Sequence, residues 1–260
     1  MSRSRPLAAP HSLAFGITGG ARPWLGELAS ALADLGYDAA WANDTPGHSG
    51  IAAVQGLAEA HGLELGIGVV SVADHPPAAI VASVRASGVA RSRLILGVGS
   101  GGSRSLGLVR DGVAALRPEL PGVRLAVAAL GPRMCELAGE IADVVLLNWA
   151  TPGRIAWARE RVAAGAARAE RAMPIVAGYV RVAVGRGAAS RLAAERNRYA
   201  RIPSYARMFE AEGGAPGIAA ESGRVVAALA PYREALDICV VRGLPAADTL
   251  GSWLAVAEAA

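Results

Sequence analysis

Residues 123–152 read VRLAVAALGPRMCELAGEIADVVLLNWATP, and this stretch decides the fold. Two apolar runs, 123–130 and 143–149, have the composition of strands that are buried on both faces. Pro132 predicts that a helix begins between them, because the first N–H group of a helix has no partner in any case. A strand, a helix and a second strand in succession indicate a sheet of parallel strands.

The turn that opens this helix has the features of an anion site. Gly131 lets a ligand approach the backbone, and a helix N-terminus offers free N–H groups with positive partial charge. Arg133 follows the proline and can hold a phosphate with two parallel N–H donors. We therefore expect a negatively charged group to approach this turn.

The alternation of strand and helix patterns runs along the whole chain. The predicted strands are 13–18, 37–44, 63–72, 93–101, 123–130, 143–149, 174–185 and 237–241. Helical patterns follow them, with Gly or Pro at the joints. Eight such units in about 250 residues are typical of an α/β protein with the (β/α)8 TIM-barrel fold. We expect a single domain over residues 1–260, with 1–12 as a loosely ordered tail; a doubly wound sheet is the alternative.

Composition excludes several classes of protein. Hydrophobic residues make up 53% of the 260 and charged residues 18%, which excludes a disordered chain. All 26 basic residues are arginine, and the lack of lysine excludes Schiff-base aldolases, pyridoxal phosphate enzymes and the P-loop. No apolar run approaches the roughly 18 residues of a spanning helix, and MSRSRPLAAPHS has no apolar signal core. We expect a cytoplasmic protein that contacts no membrane.

Neither nucleic acid nor a metal ion is an expected ligand. The net charge is +4, but the arginines are scattered along helices without interleaved aromatic residues. The histidines and cysteines are His11, His48, His61, His75, Cys135 and Cys239. They form none of the common spacings of metal ligands, and both cysteines are expected to be buried thiols.

Small and polar residues collect at the predicted strand ends, which form the functional face of a TIM barrel. One of these ends, GVGSGG, fits the dinucleotide pattern at Gly97, Gly99 and Gly102, but no acidic residue follows at the required distance. Asp44 and His48 are candidates for an acid–base pair; the alternative is a capping aspartate beside an exposed histidine. With no evident nucleophile, the pattern favours an enzyme whose cofactor performs the chemistry.

Five stretches carry a family resemblance. They are WANDTPGHSG, LGIGVVSV with HPPA, RLILGVGSG, AALGPRMCELAGEIADVVLLNWATP and YARIPSYARMFEAEG. Together they resemble the bacterial luciferase-like monooxygenase superfamily, and within it the branch that uses the deazaflavin coenzyme F420. The resemblance runs from about residue 13 to the C-terminus. It implies a TIM barrel, a homodimer, and a deazaflavin or FMN cofactor at the carboxyl ends of the strands.

The resemblance also implies the residues of a cofactor site. The matching positions are Asp44, Gly68, Val69, Ser71, Gly99, Ser100, Gly101, Leu130, Gly131, Pro132, Arg133, Asn148 and Trp149. By position, residues 130–133 would receive the phosphate of the coenzyme and Asp44 would bond its ring. Residues 68–69 would form a non-prolyl cis peptide behind the ring. The loop 99–101 would close on the coenzyme, and residues 148–149 would form the floor.

The chain departs from the deazaflavin-dependent sugar-phosphate dehydrogenases of this superfamily. Thr45 stands where they have a histidine, and Gly102 where they have a glutamate, which argues against that activity. The connection from Gly101 to Val123, after the fourth strand, is shorter than is usual in the superfamily and predicts a more open site.

The expected function is hydride transfer between a reduced deazaflavin and a small organic substrate. The alternatives are an FMN-dependent monooxygenase and a flavin-binding relative without catalytic activity. No catalytic residue is assigned; the candidates for a proton donor are His48, Tyr199 and Tyr205.

Overall fold

The structure is a computed structural model that describes residues 11–60 and 62–260. Its strands are β1 (Ser12–Thr18), β2 (Ala39–Asn43), β3 (Glu64–Ser71), β4 (Leu94–Gly99), β5 (Arg124–Ala128), β6 (Val144–Asn148), β7 (Ile175–Val184), β8 (Ile218–Ala220) and β9 (Ile238–Gly243). Its α-helices are α1 (Leu25–Asp34), α2 (Gly50–Leu57), α3 (Pro77–Ala86), α4 (Leu106–Glu119), α5 (Pro132–Ile141), α6 (Pro152–Arg168), α7 (Ala188–Ala200), α8 (Pro203–Ala211), α9 (Val225–Ala235) and α10 (Leu250–Ala257). The expected N-terminal tail falls outside the described residues up to position 10, as does His61, and β1 begins at Ser12.

The strands close into a single parallel barrel. β1 to β6 pair in sequence, β6 pairs with β7, β7 with β9, and β9 with β1. Eight strands therefore form the ring, and the predicted (β/α)8 fold is confirmed. The doubly wound alternative is wrong, because an open sheet would leave two unpaired edges.

One strand lies outside this ring. The three residues of β8 pair only with the end of β7 and interrupt a region that the sequence predicts as helical, 188–230. Gly213, Gly214 and Gly217 all have positive φ angles just before this strand. Helices cannot continue through such backbone conformations, so α8 ends and the chain turns back to β7.

The centre of the barrel is filled by a few large side chains that fit against small ones. Trp41 on β2 and Tyr179 on β7 meet edge to face, with ring centroids 6.1 Å apart. Gly66 on β3 faces the indole so closely that any Cβ atom there would overlap it. Gly16 gives room to Tyr179 in the same way. The interior is therefore closed to solvent at this level.

Outside the barrel, α5 and α6 approach each other more closely than ordinary side chains permit. A Cβ atom at Gly139 would overlap the carbonyl oxygen of Val162, and one at Gly165 would overlap that of Glu136. Because backbone faces backbone at both contacts, neither could be relieved by rotating a side chain. This contact fixes the position of α5 against α6.

The glycines of β4 are explained by packing against β3. The register between the two strands shifts between Ile67 and Val70, which leaves a bulge at the end of β3. A Cβ atom at Gly97 would overlap the carbonyl oxygen of Ile67, and one at Gly99 would lie 2.9 Å from Val69 Cγ2. The GVGSGG segment thus accommodates the bulge and is no dinucleotide fingerprint.

We expect Gly139→Ala to lower the free energy of unfolding by about 1–3 kcal/mol, because α5 and α6 must separate to admit the methyl group. Gly153→Ala is the matched control, since this glycine is exposed near the start of α6 and no heavy atom lies closer than 4.0 Å to an added Cβ. Alanine should leave stability unchanged there or raise it slightly through helix propensity. Urea denaturation measures both, and equal midpoints for the two variants would contradict the close contact.

We expect Gly97→Ala to destabilise the chain by about 1–3 kcal/mol, because the methyl group meets a backbone oxygen that cannot move away alone. Gly102→Ala serves as its control, since an added Cβ atom there meets nothing within 4 Å. Thermal unfolding followed by circular dichroism gives the comparison. Unchanged melting of Gly97→Ala would refute the packing explanation of the GVGSGG segment.

Candidate functional site

Two adjoining clefts open at the carboxyl ends of the strands. The first, which we call the β2–β3 cleft, has a volume of about 550 Å3 and lies between the loop 44–49, the end of β3 and α3. The second, the β1–β9 cleft, has a volume of about 600 Å3 and lies between the ends of β1, β2 and β9 and the outer turns of α7. Thr45 and His48 line both clefts, so the two spaces meet at this pair.

The β2–β3 cleft brings together Asp44, Val69 and Ser71, which the resemblance assigns to the coenzyme ring. One carboxylate oxygen of Asp44 accepts the N–H of Gly50 at 2.7 Å, which fixes the start of α2. The buried hydroxyl of Ser71 has no hydrogen-bond partner among the described residues. The Gly68–Val69 peptide bond is cis, as the resemblance implies.

The loop 99–101 lies against the same cleft. Gly99 packs on Val69, and a Cβ atom at Gly101 would overlap the hydroxyl oxygen of Ser71. Gly101 has a φ of 54°, which glycine adopts without strain, and Ser100 precedes it as the first residue of the turn. The chain thus places all three loop residues beside the predicted ring site.

The predicted phosphate turn is a separate element at the start of α5. Gly131 occupies the N-cap position with no side chain to fill it, and an added Cβ atom would meet nothing within 4 Å. The first hydrogen bond of the helix runs from Cys135 N–H to the Gly131 carbonyl, so the N–H groups of Arg133 and Met134 precede the ladder. Pro132 and Arg133 are exposed. These features leave room for an anion at the turn.

Leu130, Asn148 and Trp149 line neither cleft and instead contact an aromatic cluster above β6 and β7. Trp149 packs against Tyr199 and Phe209, with ring centroids 5.4 and 5.6 Å apart. Leu130 packs against the same cluster, and its carbonyl oxygen accepts a hydrogen bond from Arg154. The predicted floor of the site is therefore tightly packed protein.

The three candidates for a proton donor are not equivalent in position. The Tyr205 hydroxyl accepts the side-chain N–H of Asn148 at 2.7 Å, and burial raises the pKa of this tyrosine to about 12. Tyr199 packs in the aromatic cluster, 4.9 Å from the Tyr205 ring. His48 is exposed and is the one of the three that lines the clefts.

Two arginines inside the mouth of the barrel were not predicted as site residues from the sequence. Arg181 on β7 and Arg242 on β9 are register partners, so both side chains point inward at the same level. They are only 1% and 4% exposed. One sequence feature could have identified them. Each arginine directly follows a run of apolar strand residues and lies two positions after a residue that faces the barrel interior. The strand predicted at 237–241 ends two residues later, at Gly243, and so includes Arg242.

Amide and hydroxyl oxygens hold these guanidinium groups. Arg242 donates to the Asn43 side chain at 2.7 Å and to the Thr18 hydroxyl at 2.7 Å. Arg181 donates to the side-chain oxygen of Asn148. Four of these five side chains come from the last two residues of their strands, and Arg181 lies three residues before the end of β7. They form a polar layer at the top of the barrel interior, which we call the mouth layer.

The mouth layer carries two buried positive charges without a carboxylate. Within residues 11–60 and 62–260, neither Arg181 nor Arg242 forms an ion pair, and the Nε and Nη2 atoms of Arg181 have no hydrogen-bond partner. The Arg181 guanidinium lies 4.3 Å from the centroid of the Trp149 ring, a cation–π contact. Burial and the neighbouring Arg181 lower the pKa of Arg242. The arrangement favours an anion at the mouth.

The part of the chain that the structure describes contains no group of three or more His, Cys, Asp and Glu side chains that could hold a metal ion. None of its helices is long and apolar enough to cross a membrane. Cys135 and Cys239 are buried free thiols, as the sequence predicts.

Solved structures with the same fold support the barrel over almost its whole length. The coenzyme F420-dependent tetrahydromethanopterin reductase from Methanopyrus kandleri matches with a TM-score of 0.73 and 17% identity, covering 96% of this chain and 97% of the other. An F420-dependent secondary alcohol dehydrogenase, solved with an F420–acetone adduct, gives a TM-score of 0.73 at 12% identity, with 96% and 98% coverage. The oxygenating constituent of 3,6-diketocamphane monooxygenase from Pseudomonas putida, solved with FMN, gives 0.68 at 13% identity, with 95% and 96% coverage.

Sequence comparison places the chain in a family. No curated protein matches the sequence significantly. Residues 105–238, which are more than half of the chain, match the family described as luciferase-like monooxygenase. This segment contains the strand–turn–helix–strand block around the predicted phosphate turn. The chain therefore belongs to the luciferase-like monooxygenase family.

Proposed function

We propose that this protein is an oxidoreductase that binds the deazaflavin coenzyme F420 at the mouth of its barrel and transfers a hydride between that coenzyme and a small organic substrate. The observation that carries the proposal is the β2–β3 cleft, where the unpartnered hydroxyl of Ser71 lies beside Val69 and Asp44. A buried hydroxyl without a partner is costly unless a ligand bonds it. Two of the similar structures are F420-dependent enzymes, which favours this coenzyme.

The residues present fit such a coenzyme in two respects. The cleft has the size of a small-molecule site and offers one free hydroxyl and one carboxylate already fixed in orientation by Gly50. The start of α5 offers free N–H groups, an empty N-cap position and an exposed arginine to a phosphate. A coenzyme with its planar ring in the β2–β3 cleft and its phosphorylated tail at the start of α5 would contact both sets of groups.

The chemistry then depends on position. When bound, the reduced coenzyme supplies a hydride, which is one proton with two electrons, and the substrate takes up a second proton to complete its two-electron reduction. Val69 would support the ring from behind, and Asp44 would fix its orientation in the plane. His48 holds an imidazole where the two clefts meet, and we propose it as the group that exchanges the second proton with the substrate.

An FMN-dependent monooxygenase is the second candidate. The family description and the FMN complex of the Pseudomonas putida protein favour it. Both candidates would place a ring in the same cleft and a phosphate at the same turn. They differ in the reaction with oxygen, which is expected of reduced FMN and not of reduced deazaflavin. Under either, we propose a cytoplasmic homodimer that acts on a small molecule.

We expect F420 to bind the purified protein with micromolar affinity or better, and Gly131→Asp to weaken this binding by about tenfold more than Gly131→Asn. Both side chains suit the N-cap position, so both variants should fold. Only the aspartate places a negative charge beside the phosphate, and tenfold corresponds to about 1.4 kcal/mol. Quenching of deazaflavin fluorescence measures the affinities.

A parallel titration with FMN tests the choice of coenzyme. Tighter binding of FMN, with oxygen uptake by the reduced complex, would favour the monooxygenase. Binding of neither coenzyme would refute both candidates. Equal F420 affinities for the wild type and both variants would refute the proposal that the phosphate binds at the start of α5.

A further inference from the structure

We propose that the β1–β9 cleft binds the anionic group of the substrate, a carboxylate or a phosphate, on Arg242, with Arg181 behind it. The proposed substrate class is a small organic anion with a largely apolar body. The identification of this anion as part of the substrate rests on the proposed function. The anion site itself follows from the charges and contacts of the cleft.

The charges that line this cleft do not balance. The lining charged residues are Arg22, Arg191, Arg198, Arg242, Glu195 and Asp248. Arg22 forms an ion pair with Asp248 at 2.8 Å, and Arg198 forms one with Glu195 at 2.7 Å. Each carboxylate is thus paired with an arginine other than Arg242, and Glu195 also attracts the Arg242 guanidinium. With four arginines and two carboxylates, the lining keeps a net positive charge.

The two remaining arginines are held by neutral groups. Arg191 donates to the backbone carbonyls of Val184, Arg186 and Leu244, which gives it a structural role in joining α7 to β7 and β9. Arg242 is bonded to an amide, a hydroxyl and a carbonyl oxygen. An anion in the cleft would therefore find Arg242 positioned in advance, at little cost in side-chain ordering.

Arg181 strengthens the attraction from beside Arg242, inside the barrel. It is the register partner of Arg242 and is almost wholly buried, and two of its nitrogen atoms have no partner among the described residues. A charge in this environment is weakly screened, so it raises the positive potential at Arg242. An anion bound there would offset the repulsion between the two guanidinium groups.

The rest of the cleft indicates what else the ligand contains. Leu244, Pro245, Ala247 and the indole of Trp253 line it beside Arg242. A volume of about 600 Å3 accommodates considerably more than a simple anion. Because the cleft meets the β2–β3 cleft at His48, the far end of such a molecule would reach the proposed ring site. The size of the cleft and its junction with the ring site therefore favour a substrate over an anion with a purely structural role.

The test uses the full chain without coenzyme. Isothermal titration calorimetry with inorganic phosphate and with acetate measures the anion site directly. We expect one site on the wild type, with binding weakened by about tenfold or more in Arg242→Gln. Arg85→Gln is the matched control, because it removes the same charge from an exposed ion pair with Glu119 and should bind like the wild type. Circular dichroism confirms that the variants are folded.

A second pair of variants keeps the test independent of the buried arginine. Ala247 is exposed at the rim of the cleft, so Ala247→Asp and Ala247→Asn should both fold. The aspartate should weaken anion binding by several fold relative to the asparagine, through repulsion alone. Equal binding by these two variants would overturn the placement of the anion in this cleft.

Three further outcomes separate this inference from the proposed function. Absence of anion binding by the wild type, or equal binding by wild type and Arg242→Gln, would overturn the inference. A folded Arg242→Gln that loses F420 binding would also overturn it, because the arginine would then serve the coenzyme. Anion binding that depends on Arg242 in a protein that binds no F420 would support the anion site and defeat the proposed function.

Discussion

The site depends on one geometric constraint, which is that every second residue of a barrel strand points into the same closed interior. Trp41 and Tyr179 fill the central level of that interior because Gly16 and Gly66 leave space for them. Leu146 and Val240 pack beside them and complete this apolar level. The next inward residues, two positions later on each strand, must therefore form the floor of the mouth.

Two residues further along the strands, the inward side chains change from apolar to polar. Trp41 is followed at this spacing by Asn43, and Tyr179 by Arg181. On β9, Val240 is likewise followed by Arg242. The mouth layer thus rests directly on packed side chains that exclude water, so its charges are weakly screened. An anion bound at this layer, as we propose, would therefore interact strongly with the two guanidinium groups.

The sequence determined the barrel well and the mouth layer poorly, for a physical reason. Buried parallel strands are apolar throughout, so each of the ring strands could be predicted within a few residues, whereas the short β8 carries no such pattern. An arginine can be assigned to the site only when its side chain is known to point into the barrel. With 26 arginines in the chain, Arg181 and Arg242 could not be separated from those on helix surfaces until the register was available. The turn at Gly131 was found because its signal is local.

The junction of the two clefts also changes the interpretation of Thr45, which differs from the histidine of related enzymes. Thr45 replaces the histidine that the sugar-phosphate dehydrogenases carry at this position, which taken alone indicates a lost acid–base group. In the structure, Thr45 and His48 exchange backbone hydrogen bonds of 3.1 and 2.8 Å across a tight loop. Both residues therefore stand at the same junction, and an imidazole is present there three positions later. The missing histidine at position 45 therefore does not leave the junction without an imidazole, and His48 stands where we propose that ring and substrate meet.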